Sequence, residues 1–135
     1  MNSLKKNIVK IPDSSKGNFV VKYFPNWSIP YLHLSRADRP TGTWLLLLPC
    51  LFGILLACIE KNNFSISFYE IWLLIACSIG AFLMRGAGCT WNDILDKDYD
   101  AKVKRTQNRP IPSGQVTIRR AIYWMIVQSL LAFII

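Results

Sequence analysis

Between Thr43 and Ile59 the chain runs seventeen residues without a charge, TWLLLLPCLFGILLACI. Wound as a helix, this stretch is about 26 Å long, close to the ~30 Å hydrocarbon core of a bilayer. A second uncharged run extends from Ile71 to Met84 and becomes ample when continued from Phe68 past Arg85. A third begins at Ala121 and reaches Ile135 with only Gln128 and Ser129 as polar interruptions. The hydrophobic share of 52% is thus bunched rather than periodic, which argues against a single soluble domain of 135 residues. The expected fold class is all-α, a polytopic membrane helix bundle. Its spans fall at about 40–59, 67–91 and 118–135, behind a basic leader over residues 1–28. The third run has fifteen residues where a span needs about 20. The chain therefore reads as the N-terminal part of a longer membrane protein. The alternative is a complete small protein whose third helix lies shallow or packs on a partner.

Charge gives the spans a direction. Lys5, Lys6, Lys10, Lys16, Lys22, Arg36 and Arg39 precede the first span, and Lys97, Lys102, Lys104, Arg105, Arg109, Arg119 and Arg120 follow the second. The connection at Glu60-Lys61-Asn62-Asn63 is nearly neutral. The positive-inside rule then places the N-terminus and the loop after the second span on the cytoplasmic side, with the short loop outside. A net charge of +8 also suits nucleic acid, but the basic residues flank apolar spans, so topology and anionic lipid account for them and no nucleic-acid partner is expected. The first forty residues carry no short apolar core with a small-residue site, so a cleaved signal peptide is not expected. Cys50, Cys58, Cys77 and Cys89 form no C-x-x-C pair and read as reduced, small apolar packers.

Local signals add detail. Trp27, Tyr31 and His33 sit where an interfacial belt belongs, and Pro49 predicts a bend in the first span. Gly80, Gly86 and Gly88 offer surfaces for close helix packing. Arg85, inside the second apolar face, should turn toward a bundle interior or polar cavity. Thr117 is the expected N-cap of the third span.

The chemistry concentrates in Asn92-Asp93-Ile94-Leu95-Asp96-Lys97-Asp98-Tyr99-Asp100. Four of the chain's eight acidic residues fall here, on a protein with sixteen Lys and Arg. On a helix, Asn92, Asp96 and Asp100 share one face, Asp93 projects into the same stripe and Asp98 points away. Carboxylates four apart repel, so the stripe needs a compensating cation. Oxygen-rich, histidine-free donors favour a hard ion such as Mg²⁺, which typically also takes substrate phosphates. A solvated polar helix end is the bland reading of the same residues. An EF-hand loop starting at Asp96 is excluded, because its sixth and twelfth positions are Ala101 and Gln107 rather than Gly and Glu.

The run Arg85-Gly86-Ala87-Gly88-Cys89-Thr90-Trp91-Asn92-Asp93, through Asp96 and Asp100, continues to Arg105-Thr106-x-x-Arg109-Pro110-Ile111-x-x-Gly114. It resembles the first signature of the UbiA-type intramembrane prenyltransferases. Arg36-x-Asp38-Arg39-Pro40-x-Gly42 resembles their first-helix motif, and the likeness covers about residues 29–135. The R-G-A-G-C-T-x-N-D lead-in is most similar to the branch that prenylates 4-hydroxybenzoate in ubiquinone biosynthesis.

The resemblance implies a bundle of about nine membrane helices, in which two Asp-rich motifs hold Mg²⁺ on the diphosphate of a polyprenyl donor. Carried onto this chain, it makes Asn92, Asp96 and Asp100 the metal residues, with Asp93 as helper, and gives Asp96 and Asp100 the catalytic part. Arg105 and Arg109 would contact diphosphate or fix the loop. Arg39 is the candidate for the aromatic acid's carboxylate, with a topological anchor as its plain alternative, and Arg85 is divided between structural and diphosphate-facing roles. No acidic residue follows Asp100, so the second motif is missing and the isolated chain is expected to be inactive. Competing readings are a non-catalytic membrane fragment that pairs with a partner supplying the missing helices, and a prenyltransferase for another aromatic acceptor or haem.

Overall fold

The computed structural model describes residues 19–60 and 67–135. Most of the basic leader and the Lys61-to-Asn63 connection lie outside these residues. Six helices follow one another: α1 (Phe19–Tyr23), α2 (Ile29–Leu34), α3 (Thr41–Glu60), α4 (Phe68–Leu95), α5 (Lys97–Asp100) and α6 (Ile118–Ile134). No strand occurs among the described residues. α3 and α4, of 20 and 28 residues, are long and apolar enough to cross a membrane. α6 has 17 residues.

Each long helix begins where its sequence can satisfy the free amides of a first turn. α4 opens with a capping box, in which Ser67 Oγ accepts from Tyr69 N–H at 3.3 Å and Glu70 accepts from Ser67 N–H at 2.9 Å. Thr117, as expected, caps α6 by accepting from Arg120 N–H at 3.5 Å. α3 follows Pro40 and carries Pro49 inside it.

α4 is the central element, with α6 packed along one side and α3 along another. The outer faces of these helices stay uncovered and apolar: Leu45, Phe52, Leu56, Phe68, Ile75 and Phe133 are all exposed. This is the inverse of a soluble bundle and the surface that lipid would cover. The buried apolar core instead lies at one end, where Leu34 of α2, Ile111 and Val116 of the connection after α5, and Ala121 of α6 meet, flanked by Tyr31 and Ile94.

That end alters two expectations. His33 is buried, and half-buried Tyr31 leans its ring on Trp124 at 5.5 Å between centroids, so both pack against protein. Trp27 does remain exposed. α6 passes over α2, and its tryptophan covers the ring that a bare α2 would have presented outward. Of the three glycines expected to bring helices together, only Gly86 does so. A Cβ there would collide with Gln128 Nε2 and stand 3.0 Å from Ser35 Cβ, whereas Gly80 and Gly88 have nothing within 4 Å.

Gly86→Ala should therefore lower thermal stability in detergent by about 1–3 kcal/mol through overpacking, while Gly80→Ala is neutral or mildly stabilising. Thermal unfolding of the two variants side by side checks this; equal midpoints would refute the close approach at Gly86.

Candidate functional site

The acidic segment does not form one uninterrupted helix. α4 ends at Leu95, Asp96 caps it with φ −85° and ψ 2°, and α5 resumes at Lys97. The four-residue rhythm survives the break, because Asp96 N–H donates to Asn92 O at 2.9 Å and Asp100 N–H to Asp96 O at 2.8 Å. Asp98, as the periodicity predicts, points away and is 86% exposed, with Lys97 3.7 Å from it.

The other three acids and Asn92 divide into two pairs. Asp93 and Asp100 are buried, and arginines claim both. Arg36 Nη2 donates to Asp93 Oδ1 at 2.8 Å, while Arg109 Nη1 lies 3.3 Å from the same oxygen and donates to Asp100 Oδ2 at 2.6 Å. Part of the compensating positive charge that the stripe demanded is thus supplied by the chain itself. Asn92 and Asp96 remain exposed and line a cavity of about 370 Å³.

The cavity lies between the start of α3 and the last turns of α4. Arg36, Arg39, Thr41, Gly42, Arg85, Cys89, Asn92, Asp93 and Asp96 wall it together with Arg109. Four guanidiniums against two carboxylates leave its wall with a positive excess. Arg36 and Arg109 are held by Asp93, and Arg39 Nε stands 3.8 Å from buried Asp38. Arg85 is different: it makes no ion pair with a carboxylate among the described residues, and its Nε, like that of Arg109, is buried without a hydrogen-bond partner there. It lies across the start of α3, where a Cβ on Gly42 would collide with the Arg85 Nε and Cζ atoms. The first amides of α3, at Thr41 and Gly42, border the same space, and a helix N-terminus adds further partial positive charge. Such a wall favours an anion.

Of the residues singled out in the sequence, Arg39, Arg85, Asn92, Asp93, Asp96 and Arg109 come together at this cavity. Arg105 is exposed outside its lining, and Asp100 turns to Arg109 instead. The loop carrying Arg105 is pinned by Thr106, whose buried hydroxyl donates to Asp100 O at 3.0 Å. Arg36, Thr41, Gly42 and Cys89 also line the cavity and were not assigned a role from sequence. Arg36 and Gly42 stood in the first-helix motif, so the signal was present. What was missing was the fold that lays this motif against α4.

Residues 46–135, more than half of the chain, match the model of the UbiA prenyltransferase family. The chain belongs to the UbiA prenyltransferase family. It is similar to the protein named "4-hydroxybenzoate polyprenyltransferase, mitochondrial" of Dictyostelium discoideum, at 41% identity over 90% of this chain and 25% of the relative. The proteins of that name from Homo sapiens (46% identity, 84% of this chain, 29% of the relative) and Saccharomyces cerevisiae (44%, 84% and 30%) are comparable. The chain thus spans roughly a quarter to a third of these UbiA relatives. No solved structure matches it.

Two predictions follow the charges. Arg109→Met strands buried Asp100 and half-frees Asp93, which should destabilise the chain by about 3 kcal/mol. Adding Asp100→Asn should return part of that loss in thermal unfolding; no recovery would refute the pair.

The second concerns His33, which burial pushes below the ordinary imidazole value of 6.5, with Asp38 opposing and Arg36 and Arg39 reinforcing the shift. A depressed folded-state pKa means the unfolded chain takes up the proton first. The contribution of neutral His33 is therefore complete above about pH 6.5 and lost as pH falls below it. Unfolding midpoints of wild type and His33→Gln should accordingly converge between about pH 7 and pH 5.

Proposed function

We propose that this chain contributes the first metal-diphosphate motif of an enzyme that transfers a polyprenyl group from polyprenyl diphosphate to a ring carbon of 4-hydroxybenzoate, a step of ubiquinone biosynthesis. The observation that carries the reading is the convergence of Arg39, Arg85, Arg109, Asn92 and Asp96 on one positively walled cavity. It is supported by family membership and by the shared name of the relatives.

The donor set fits Mg²⁺. Asn92 and Asp96 offer uncommitted oxygen donors at the cavity, and this ion is commonly held by one or two carboxylates with substrate phosphates and waters completing its shell. Asp100 joins this set only if Arg109 releases it. Bound there, the ion would neutralise charge building on the departing pyrophosphate.

The residues of the chain do the remaining work. Arg109 and Arg36, fixed by Asp93, present guanidinium groups to phosphate oxygens, and Arg105 can reach the same anion only from outside the cavity. Arg85, free of carboxylate partners, and Arg39 are the groups available to a second anion, the carboxylate of the aromatic acid. Guanidiniums suit both, since they bind carboxylate and phosphate with paired hydrogen bonds. Departure of pyrophosphate leaves an allylic cation, a ring carbon of the phenol attacks it, and the ring proton is then lost.

The resemblance requires a second Asp-rich motif that these 135 residues do not contain, so the chain alone is proposed to be inactive. The setting is an inner membrane, mitochondrial as in the names of the relatives, with α3 and α4 spanning it and the cavity on the side of the basic loops.

Asp96→Ala, introduced into a complete enzyme carrying this segment, should cut Mg²⁺-dependent prenylation of 4-hydroxybenzoate by at least about a hundredfold. Prenyl transfer at the wild-type rate in membranes would sink the metal role.

A further inference from the structure

One buried polar cluster is not part of the cavity. Ser35, directly after α2, is 4% exposed, and its Oγ accepts from Trp124 Nε1 at 2.9 Å and from Gln128 Nε2 at 3.0 Å. Both donors lie on α6, one turn apart. Gln128 is 3% exposed, and Gly86 of α4 closes the cluster by admitting its amide where a Cβ would collide. Three separate elements, the α2–α3 connection, α4 and α6, therefore meet at one serine hydroxyl. Buried donors of this kind are costly to leave unmatched, so Ser35 is held firmly in place.

The next residue is Arg36, whose φ of 52° lies in the left-handed region. A side-chain-bearing residue held there costs on the order of 1 kcal/mol or more and persists only where its surroundings over-determine it. Arg36 is restrained on both sides. Its N–H donates to His33 O at 3.1 Å, Ser35 before it is tied to α6, and its guanidinium is tied to Asp93 on α4. Without the left-handed turn, the chain could not both leave Ser35 facing α6 and send Arg36 back to α4.

We propose that Ser35, Trp124 and Gln128 form a positioning lock that holds the left-handed turn at Arg36 and so sets the Arg36 guanidinium at the wall of the anion cavity. The lock rests on the reading of that cavity as a Mg²⁺-diphosphate site. Ser35, Trp124 and Gln128 are positioning residues, since they line no part of the cavity and act through Arg36.

Mere helix glue would make the same hydrogen bonds, and a triple variant separates the two roles. Ser35→Ala, Trp124→Phe and Gln128→Met together remove acceptor and donors alike, so no buried group is left unmatched and stability should stay near that of wild type. Mg²⁺ and inorganic pyrophosphate are titrated into the detergent-solubilised chain. The lock predicts a Kd raised about tenfold at a nearly unchanged Tm, the loss of one charge-assisted contact. An unchanged Kd overturns it.

If wild type binds no pyrophosphate, the cavity reading fails, and the lock is judged without ligand by a double-mutant cycle on Tm between Ser35→Ala and Asp93→Asn. A double loss smaller than the sum of the single losses supports the lock, and strict additivity overturns it.

Discussion

A carboxylate buried between two guanidiniums ties together the end of the molecule on which everything else depends. Asp93 is 2% exposed and receives Arg36 from 57 residues upstream and Arg109 from 16 downstream. Taking those charges out of water is expensive, and breaking such a set strands a charge, so none of the three can move alone. Through Arg109 the arrangement extends to Asp100, and through Arg36 to the turn beside α2. The outer parts of α3, α4 and α6 need a bilayer to cover them. This end brings its own apolar core and its own ion pairs.

The same constraint explains which parts of the molecule were legible beforehand. Membrane helices are readable because bilayer thickness converts directly into residue count, and the expected spans over 40–59, 67–91 and 118–135 lie within a few residues of α3, α4 and α6 at all but one end. The exception is the end of α4, which continues past Trp91 to Leu95, into the acidic segment that was itself expected to be helical. The cap at Thr117 was legible for a local reason, since it acts within three residues of itself.

Partnerships over long separations were not legible. Periodicity set Asn92, Asp96 and Asp100 together with Asp93 as helper and Asp98 excluded, because it registers direction and not company. Only the fold, by bringing Arg36 and Arg109 to the same oxygen, divides this stripe into two buried, paired carboxylates and two exposed cavity donors. His33 and Tyr31 went the same way: α2 read alone did not show that His33 is buried or that Trp124 of α6 packs on the Tyr31 ring.

That division has a consequence for how an anion would be met. Were Asp100 also open to the cavity, three carboxylates would stand against four guanidiniums and its positive excess would be halved. With Asp100 turned to Arg109 and outside the lining, the cavity faces its ligand with guanidiniums in the majority, two of them already oriented by Asp93. Charges placed in advance need little rearrangement when an anion arrives, which is the source of most electrostatic stabilisation in a partly dry site. Arg85 completes the logic. It has no carboxylate to satisfy its Nε among the described residues, and it reaches the cavity only because residue 42 has no side chain, so it adds a guanidinium to the wall that no carboxylate of this end offsets.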